Sequence, residues 1–293
     1  MISAEGQPAF AGPMTPPAPD KIPALPWRDR LLALWKRRGW RGYLTLTRHL
    51  KPSKGHEELR TVTRYGSQFY LHPGDVVDRH VILEGFYESE VLEAIRPALH
   101  AGSVLWVVGA NFGLHAVTAK YLHPHCRVIA FEPLPAMSSR LAEHCTLNGV
   151  NVELHAYALS DRTGALPFYA AASGNPGMST LHPVARCSYD QRFTVATYAA
   201  AEVIDRGLAP PPTAMIVDVE GAETEVLRGL GRHLTDPTLT HVVFEAENEI
   251  LAQGARHPLL HLLREAGFSV TRLQRNEATA HGCSNFLATR ATP

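Results

Sequence analysis

The stretch from Val104 to Glu132 limits what this chain can fold into more than any other. Val104 to Val108 is a short apolar run with the length and β-branching of a buried strand. Gly109 and Gly113 bracket a tight turn. Leu114, Val117 and Tyr121 then recur at helical spacing, and Pro124 stops the helix. Val128 to Phe131 reads as a second buried strand, ending on Glu132. The result is a strand-turn-helix-strand unit whose glycines let the backbone approach a ligand. Glu132 lies nineteen residues past Gly113, where a ribose-binding acid belongs. The unit predicts an adenosine-type ligand.

The rest of the chain completes a sheet around this unit. Pro135 to Asn148 reads as a helix and Asn151 to His155 as a short strand. Gly164 to Tyr169 and Phe193 to Ala196 are strand-like, with a polar stretch from Ala171 to Asp190 between them. A segment of that length within a compact domain suggests a covering or binding loop. Thr197 is expected to cap a helix over Tyr198 to Arg206. Ala214 to Val219 and His241 to Glu245 read as buried strands, and both end among acids: Asp218, Glu220, Glu245 and Glu247. Helices are expected over Glu223 to Leu230 and Pro258 to Ala266. Phe268 to Leu273 and Asn285 to Thr289 are too close for a helix between them, so they should pair antiparallel. The expected fold is α/β: a doubly wound, mostly parallel sheet with a C-terminal antiparallel hairpin.

Upstream, residues 1–26 carry Pro8, Pro13, Pro16, Pro17, Pro19, Pro23 and Pro26 and predict a disordered tail. Trp27 to Leu50 turns helical. The segment 28–51 is basic, with Arg28, Arg30, Lys36, Arg37, Arg38, Arg41, Arg48 and Lys51 against Asp29. It reads either as a capping helix with a solvated basic face or as a peripheral contact to an anionic membrane or a protein. Leu59 to Leu71 looks like a β-hairpin turning at Tyr65-Gly66-Ser67, and Glu84 to Leu99 like a helix. The expected organisation is a tail over 1–26, a helical and hairpin cap over 27–78, and the main domain over 79–293.

The 293 residues have zero net charge, which implies no overall pull toward nucleic acid. Cys126, Cys145, Cys187 and Cys283 form no C-x-x-C pair. That argues against a zinc site and a disulfide scaffold and suits a reducing, cytoplasmic setting. No run approaches the roughly 20 apolar residues of a membrane helix, and no signal-peptide pattern opens the chain.

A set of ordered motifs resembles one known family. Gly109-Ala110-Asn111-Phe112-Gly113, Phe131-Glu132-Pro133, Asn148, Ala158-Leu159-Ser160-Asp161, Asp218-Val219-Glu220-Gly221-Ala222-Glu223 and Leu227-Arg228-Gly229 are similar to those of FkbM-family methyltransferases. Gly85-Phe86-Tyr87-Glu88 resembles that family's lead-in. The resemblance runs from about Leu59 to Thr289. It implies a seven-stranded class I methyltransferase fold, S-adenosylmethionine as methyl donor, and a small-molecule acceptor such as a sugar, glycolipid or polyketide-type hydroxyl. It places Glu88, Gly109, Ala110, Asn111, Gly113, Glu132, Pro133, Ser160 and Asp161 around the cofactor, and Asn175 and Ser179 toward cofactor or acceptor. A hydroxyl acceptor needs a base: Asp218 or Glu220 first, then Glu245 and His115. The acids could instead cap a helix or hold Mg²⁺ or Ca²⁺; no metal is the favoured expectation. N- or carboxyl-methylation, or a methyltransferase-like binding protein, are the alternatives. A nicotinamide enzyme is disfavoured by the missing G-x-G-x-x-G.

Two positions depart from the family's pattern. Val107 stands where an Asp is usual and Ile216 where a Lys is usual. Removing one partner of a buried ion pair is costly, so the two changes could compensate each other; they could also mark weakened catalysis. An Asp restored at Val107 alone is expected to tighten cofactor binding.

Overall fold

A computed structural model describes residues 58–172, 176–183, 187–247, 250–274 and 283–290. The tail and the basic segment 28–51 lie outside the described residues. The first element is a hairpin of β1 (Leu59–Val62) and β2 (Gln68–Leu71), turning at Tyr65-Gly66-Ser67 as expected. Helix α1 (Val76–Glu84) follows, then α2 (Ser89–Ile95). The single helix expected over Glu84 to Leu99 is therefore corrected. Gly85 takes a left-handed conformation and ends α1, and α2 begins only after Glu88, which is also left-handed. Glu84 to Glu88 thus forms a connection, and only the second part of the expected span is helix.

The main sheet contains β3 (Val104–Val108), β4 (Arg127–Phe131), β5 (Glu153–His155), β9 (Ala214–Val217), β10 (His241–Glu247), β11 (Ser269–Arg272) and β12 (Cys283–Thr289). Its order is β11-β12-β10-β9-β3-β4-β5, and only β12 runs antiparallel to its neighbours. This is the seven-stranded, doubly wound arrangement the sequence predicts, including the antiparallel terminal pair. The winding reverses between β3 and β9, which are adjacent and parallel. Crevices at such a reversal, outside the strands' C-terminal ends, are where ligands bind in open α/β sheets.

Both faces of the sheet are covered, which is why its strands read as unbroken apolar runs. Leu105, Val107, Val128, Ala130, Ala214 and Ile216 pack to one side, with β2, α2, α3 (Leu114–Leu122) and α4 (Pro135–Asn148). Trp106, Val108, Ile129, Phe131, Met215 and Val217 pack to the other, with α5 (Ala200–Asp205), α6 (Glu223–Gly229) and α8 (Pro258–Glu265). A four-residue helix, α7 (Ile250–Gln253), precedes α8. Trp106 is fully buried and its indole N–H donates to the Pro210 carbonyl at 3.0 Å. Truncating such a side chain to alanine costs about 3–5 kcal/mol.

A second sheet of three strands, β6 (Ala158–Ser160), β7 (Gly164–Ala171) and β8 (Tyr189–Ala199), has the order β6-β8-β7. It corrects the role expected for Thr197. That residue lies inside β8, paired with Ala158 and Gly164 and fully buried. Its β-branched side chain suits a strand, and α5 starts three residues later from Ala199.

The hairpin is fixed to the helices behind the sheet. The Asn148 side chain accepts from the Gln68 N–H and donates to the Gln68 carbonyl, both at 2.7 Å, standing in for a neighbouring strand. His144 is fully buried. Its Nε2 lies 3.1 Å from the Tyr70 N–H and its Nδ1 2.8 Å from the Phe112 carbonyl, so a neutral ring protonated at Nδ1 satisfies both. Among the described residues no helix is long and apolar enough to cross a membrane.

Candidate functional site

The turn after β3 folds around one carboxylate. Gly109 (φ 78°) and Ala110 donate their N–H groups to the Phe131 carbonyl at 3.0 and 3.1 Å. Asn111 (φ 50°) donates its N–H to Glu132 Oε2 at 2.8 Å, and Leu134 donates to Glu132 Oε1 at 2.8 Å. Glu132 is only 5% exposed. A solvated loop acid would look quite different. Burial pushes its pKa up to about 7, against the two N–H bonds that pull it down. Each oxygen keeps a free lone-pair direction, so the carboxylate can still accept two hydroxyls. Gly113 (φ 93°) starts α3, where a Cβ would lie 2.8 Å from the Leu141 side chain.

The second feature is an acid cluster beside this turn. A Cβ on Gly109 would lie 1.7 Å from the Asp218 carbonyl oxygen, so only glycine lets the two backbones meet. The carboxylate oxygens of Asp218, Glu220 and Glu245 lie within 4.8 Å of one another. The Asp218 carboxyl is held well above the usual range, first by burial and then by Glu245, Glu220, Glu88 and Glu223. Glu223 is missed as a site residue by the sequence reading. Its carboxylate accepts the N–H groups of Val219 (3.2 Å) and Gly221 (3.1 Å) and fixes the turn that carries Glu220. Burial raises it to about 7. The side chain of Glu247 lies outside the described residues.

Both features open onto one cavity of about 280 Å³. Of the residues expected there, Glu88, Gly109, Ala110, Asn111, Glu132 and Pro133 line it on the turn side. His115, Ser179, Asp218, Glu220 and Glu245 line the remainder. Gly113 shapes the turn without lining the cavity. Ser160 and Asp161 are also not among its lining residues. Ser160 is buried, and Asp161 lies 3.6 Å from Arg228. Asn175 is outside the described residues. The Ser179 hydroxyl donates to the Pro176 carbonyl (2.8 Å) and accepts the Ala171 N–H (3.0 Å), so its proton is committed within its own segment. His115 Nδ1 is buried with no hydrogen-bond partner among the described residues, and burial lowers its pKa to about 4. Among the described residues, the three non-glycine positions with positive φ are Glu88, Asn111 and Glu220, and all three line the cavity. Strained backbone concentrates at functional sites.

The two departures meet. Val107 and Ile216 are direct partners in the β3·β9 register, 2% and 3% exposed, and both line the cavity. An apolar pair thus fills the place where the resemblance implies an ion pair, leaving no unpaired charge. His257 and His261 have the four-residue spacing of a helical metal pair. His261, however, pairs with Glu265 (3.4 Å), and the acid cluster is the one group of three potential ligands close enough together among the described residues.

The model of the methyltransferase FkbM domain matches residues 108–270, which spans the turn, both acid tips and the strands between them. The chain belongs to the FkbM methyltransferase family. Among the relatives of this chain, hexuronic acid methyltransferase AglP of Haloferax volcanii is 30% identical over 224 residues, covering 75% of this chain and 85% of that protein. Methyltransferase sdnD of Sordaria araneosa is 29% identical over 194 residues, 56% of this chain and 73% of that one. The 31-O-demethyl-FK506 methyltransferase FkbM of Streptomyces tacrolimicus is 29% identical over 205 residues, 60% of this chain and 76% of that one. The present chain is an S-adenosylmethionine-dependent methyltransferase. The site fits that donor on its own chemistry: a buried carboxylate with two open acceptor directions beside backbone that a Cβ would block.

Proposed function

We propose that the protein methylates a hydroxyl group on a small molecule, such as a sugar, glycolipid or polyketide-type natural product, with Asp218 as general base. When bound, S-adenosylmethionine supplies a methyl group on a sulfonium. In this reading Glu132 would accept the ribose hydroxyls, and Gly109 to Asn111 together with Glu88 would hold the donor's amino-acid part. Pro133, Met137, Ala158 and Leu159 offer an apolar wall for the base.

The observation that carries the reading is the raised proton affinity of Asp218 at the cavity edge. A hydroxyl acceptor must lose a proton as the methyl group arrives, and a base works best when its pKa lies near the working pH. Burial and then four neighbouring acids move Asp218 in that direction, while burial moves His115, at about 4, away from it. A carboxylate acceptor needs no base and would meet like charge. Phe168, Met178 and Leu181 complete a largely apolar wall that keeps water from the reacting atoms. Two relatives support a small-molecule acceptor, one named for a hexuronic acid and the other for 31-O-demethyl-FK506.

The test is transfer of labelled methyl into a fractionated extract of the native cell, with mass spectrometry of the product. Label on a hydroxyl oxygen is the expected result; label on nitrogen or on a carboxyl would replace the reading. Chelation with EDTA should leave the rate unchanged. A rate lost on chelation and restored by Mg²⁺ would instead give the acid cluster to a cation.

A further inference from the structure

The turn from Asp218 to Gly221 is an unfavourable piece of backbone held from two sides. Glu220 has φ 54°, a left-handed conformation that costs a residue with a Cβ. On the N–H side the turn is held by Glu223. On the carbonyl side it is held by Thr180, whose hydroxyl donates to the Glu220 carbonyl at 2.8 Å.

Thr180 comes from the segment that walls the cavity between β7 and β8. It is 1% exposed. Its backbone exchanges two hydrogen bonds with Tyr169, at 2.9 and 3.0 Å, which ties it to β7. The same hydroxyl accepts the His182 N–H at 2.9 Å. On either side of it, Met178 and Leu181 face the cavity. One buried hydroxyl therefore joins the wall of the cavity to the turn that presents its acids.

We propose that Thr180 is a positioning residue for methyl transfer: its hydroxyl pins the Glu220 carbonyl and so holds the Glu220 carboxylate beside Asp218 and Glu245. The inference rests on the assignment of those acids to the acceptor. Valine at this position keeps the shape, the β-branch and both backbone bonds to Tyr169. It removes the hydroxyl's hydrogen bond to the Glu220 carbonyl, the longer contact to the Val219 carbonyl at 3.5 Å, and the acceptor of the His182 N–H. The turn is then free to leave the left-handed region, and the carboxylate leaves the cluster with it. Glu132 and its turn have no part in this contact.

Wild type, Thr180→Val and Thr180→Ser are compared in labelled-methyl transfer, in calorimetry with S-adenosylhomocysteine, and by hydrogen exchange. Thr180→Val is expected to lower kcat about 10- to 100-fold, the scale of a small misplacement at a reacting centre. Affinity for S-adenosylhomocysteine should stay within about twofold, and peptides across residues 217–223 should exchange faster. Thr180→Ser should restore both rate and exchange. Unchanged exchange at the turn overturns the pin. A loosened turn with undiminished transfer leaves the pin standing and overturns the role of the acids on which the inference rests. Serine behaving like valine overturns the role of the hydroxyl. If the valine variant does not fold, wild type alone gives a reading. Segments 176–183 and 217–223 should gain protection together when S-adenosylhomocysteine is added, and gain in one without the other overturns the coupling.

Discussion

Glu132 and Asp218 stand at the tips of β4 and β9, the two strands that flank β3, and both are pushed up in pKa by burial. Their surroundings differ in kind. Glu132 has no acid among the causes of its shift and two backbone N–H groups drawing it toward ionisation. Asp218 has four acids opposing its ionisation. The first is arranged to stay in one place and accept hydrogen bonds. The second is arranged to hold a proton more readily than an ordinary aspartate. Two carboxylates on one sheet edge thus acquire different character from their neighbours alone, which in the proposed reading suits one to holding a ligand and the other to moving a proton.

The comparison can be broken most strongly at Asp218. Asp218→Asn keeps the size and removes the base, and should lower kcat about 100- to 10,000-fold, the range of general-base catalysis. Calorimetry should find the affinity for S-adenosylhomocysteine nearly unchanged; a parallel loss of binding would place Asp218 with the donor instead.

Between the two ends lies the Val107–Ile216 pair. From the sequence alone, Asp at Val107 is expected to tighten cofactor binding. The register changes that expectation, because a lone carboxylate would face Ile216 in the core. Val107→Asp should destabilise by about 3–5 kcal/mol, the cost of an uncompensated buried charge. Val107→Asp with Ile216→Lys should recover most of it in a urea melt. Independent, additive losses would show that the two positions do not compensate.

At the other end, Glu132→Ala removes two charge-assisted hydrogen bonds and the clamp on Asn111. Binding of S-adenosylhomocysteine should fall at least about 100-fold, since each such bond contributes about 1.5–3 kcal/mol. Surviving affinity would remove the ribose assignment.

The last effect is one of pH. The folded-state pKa of Glu132, about 7, is above the ordinary glutamate value of 4.5. Between these values the folded chain binds more protons than the unfolded chain, so this group's contribution to stability declines as pH rises from about 4.5 to about 7. Glu223 adds in the same direction. Donor binding favours the ionised carboxylate, so affinity should climb toward pH 7 by up to about tenfold per unit and level off above it. The free protein should therefore melt lower at pH 8 than at pH 5 while it binds more tightly. Affinity that is flat between these pH values would contradict the shift.

The strands of the main sheet were legible because burial on both faces writes a continuous apolar run, and the glycine turn because close backbone approach demands glycine. Glu132 followed from its distance to that turn. The acids at Asp218, Glu220 and Glu245 were legible as strand tips, but their convergence within 4.8 Å depends on strand order. The pairing of Val107 with Ile216 is likewise a matter of register between strands more than a hundred residues apart, which no local pattern carries. Thr180 looked like one polar residue among many in a loop. Its meaning lies in a contact forty residues away with a carbonyl, a group every residue has. Thr197 reads as a cap because it is a Thr before a helical run, whereas long-range pairing draws it into β8.

The hairpin at the start of the described chain has a consequence for biosynthesis. A two-stranded hairpin is marginal on its own, and the groups that secure β2, His144 and Asn148, follow it by 74 and 80 residues. At about 5–20 residues per second, the ribosome delivers them roughly 4–16 seconds after the strand has emerged. For that interval Phe69 and Leu71, both fully buried in the finished fold, lack α4, one of the elements that cover them. The nascent chain thus presents an unsecured strand early, and slow translation or a weakened Asn148 would prolong that interval.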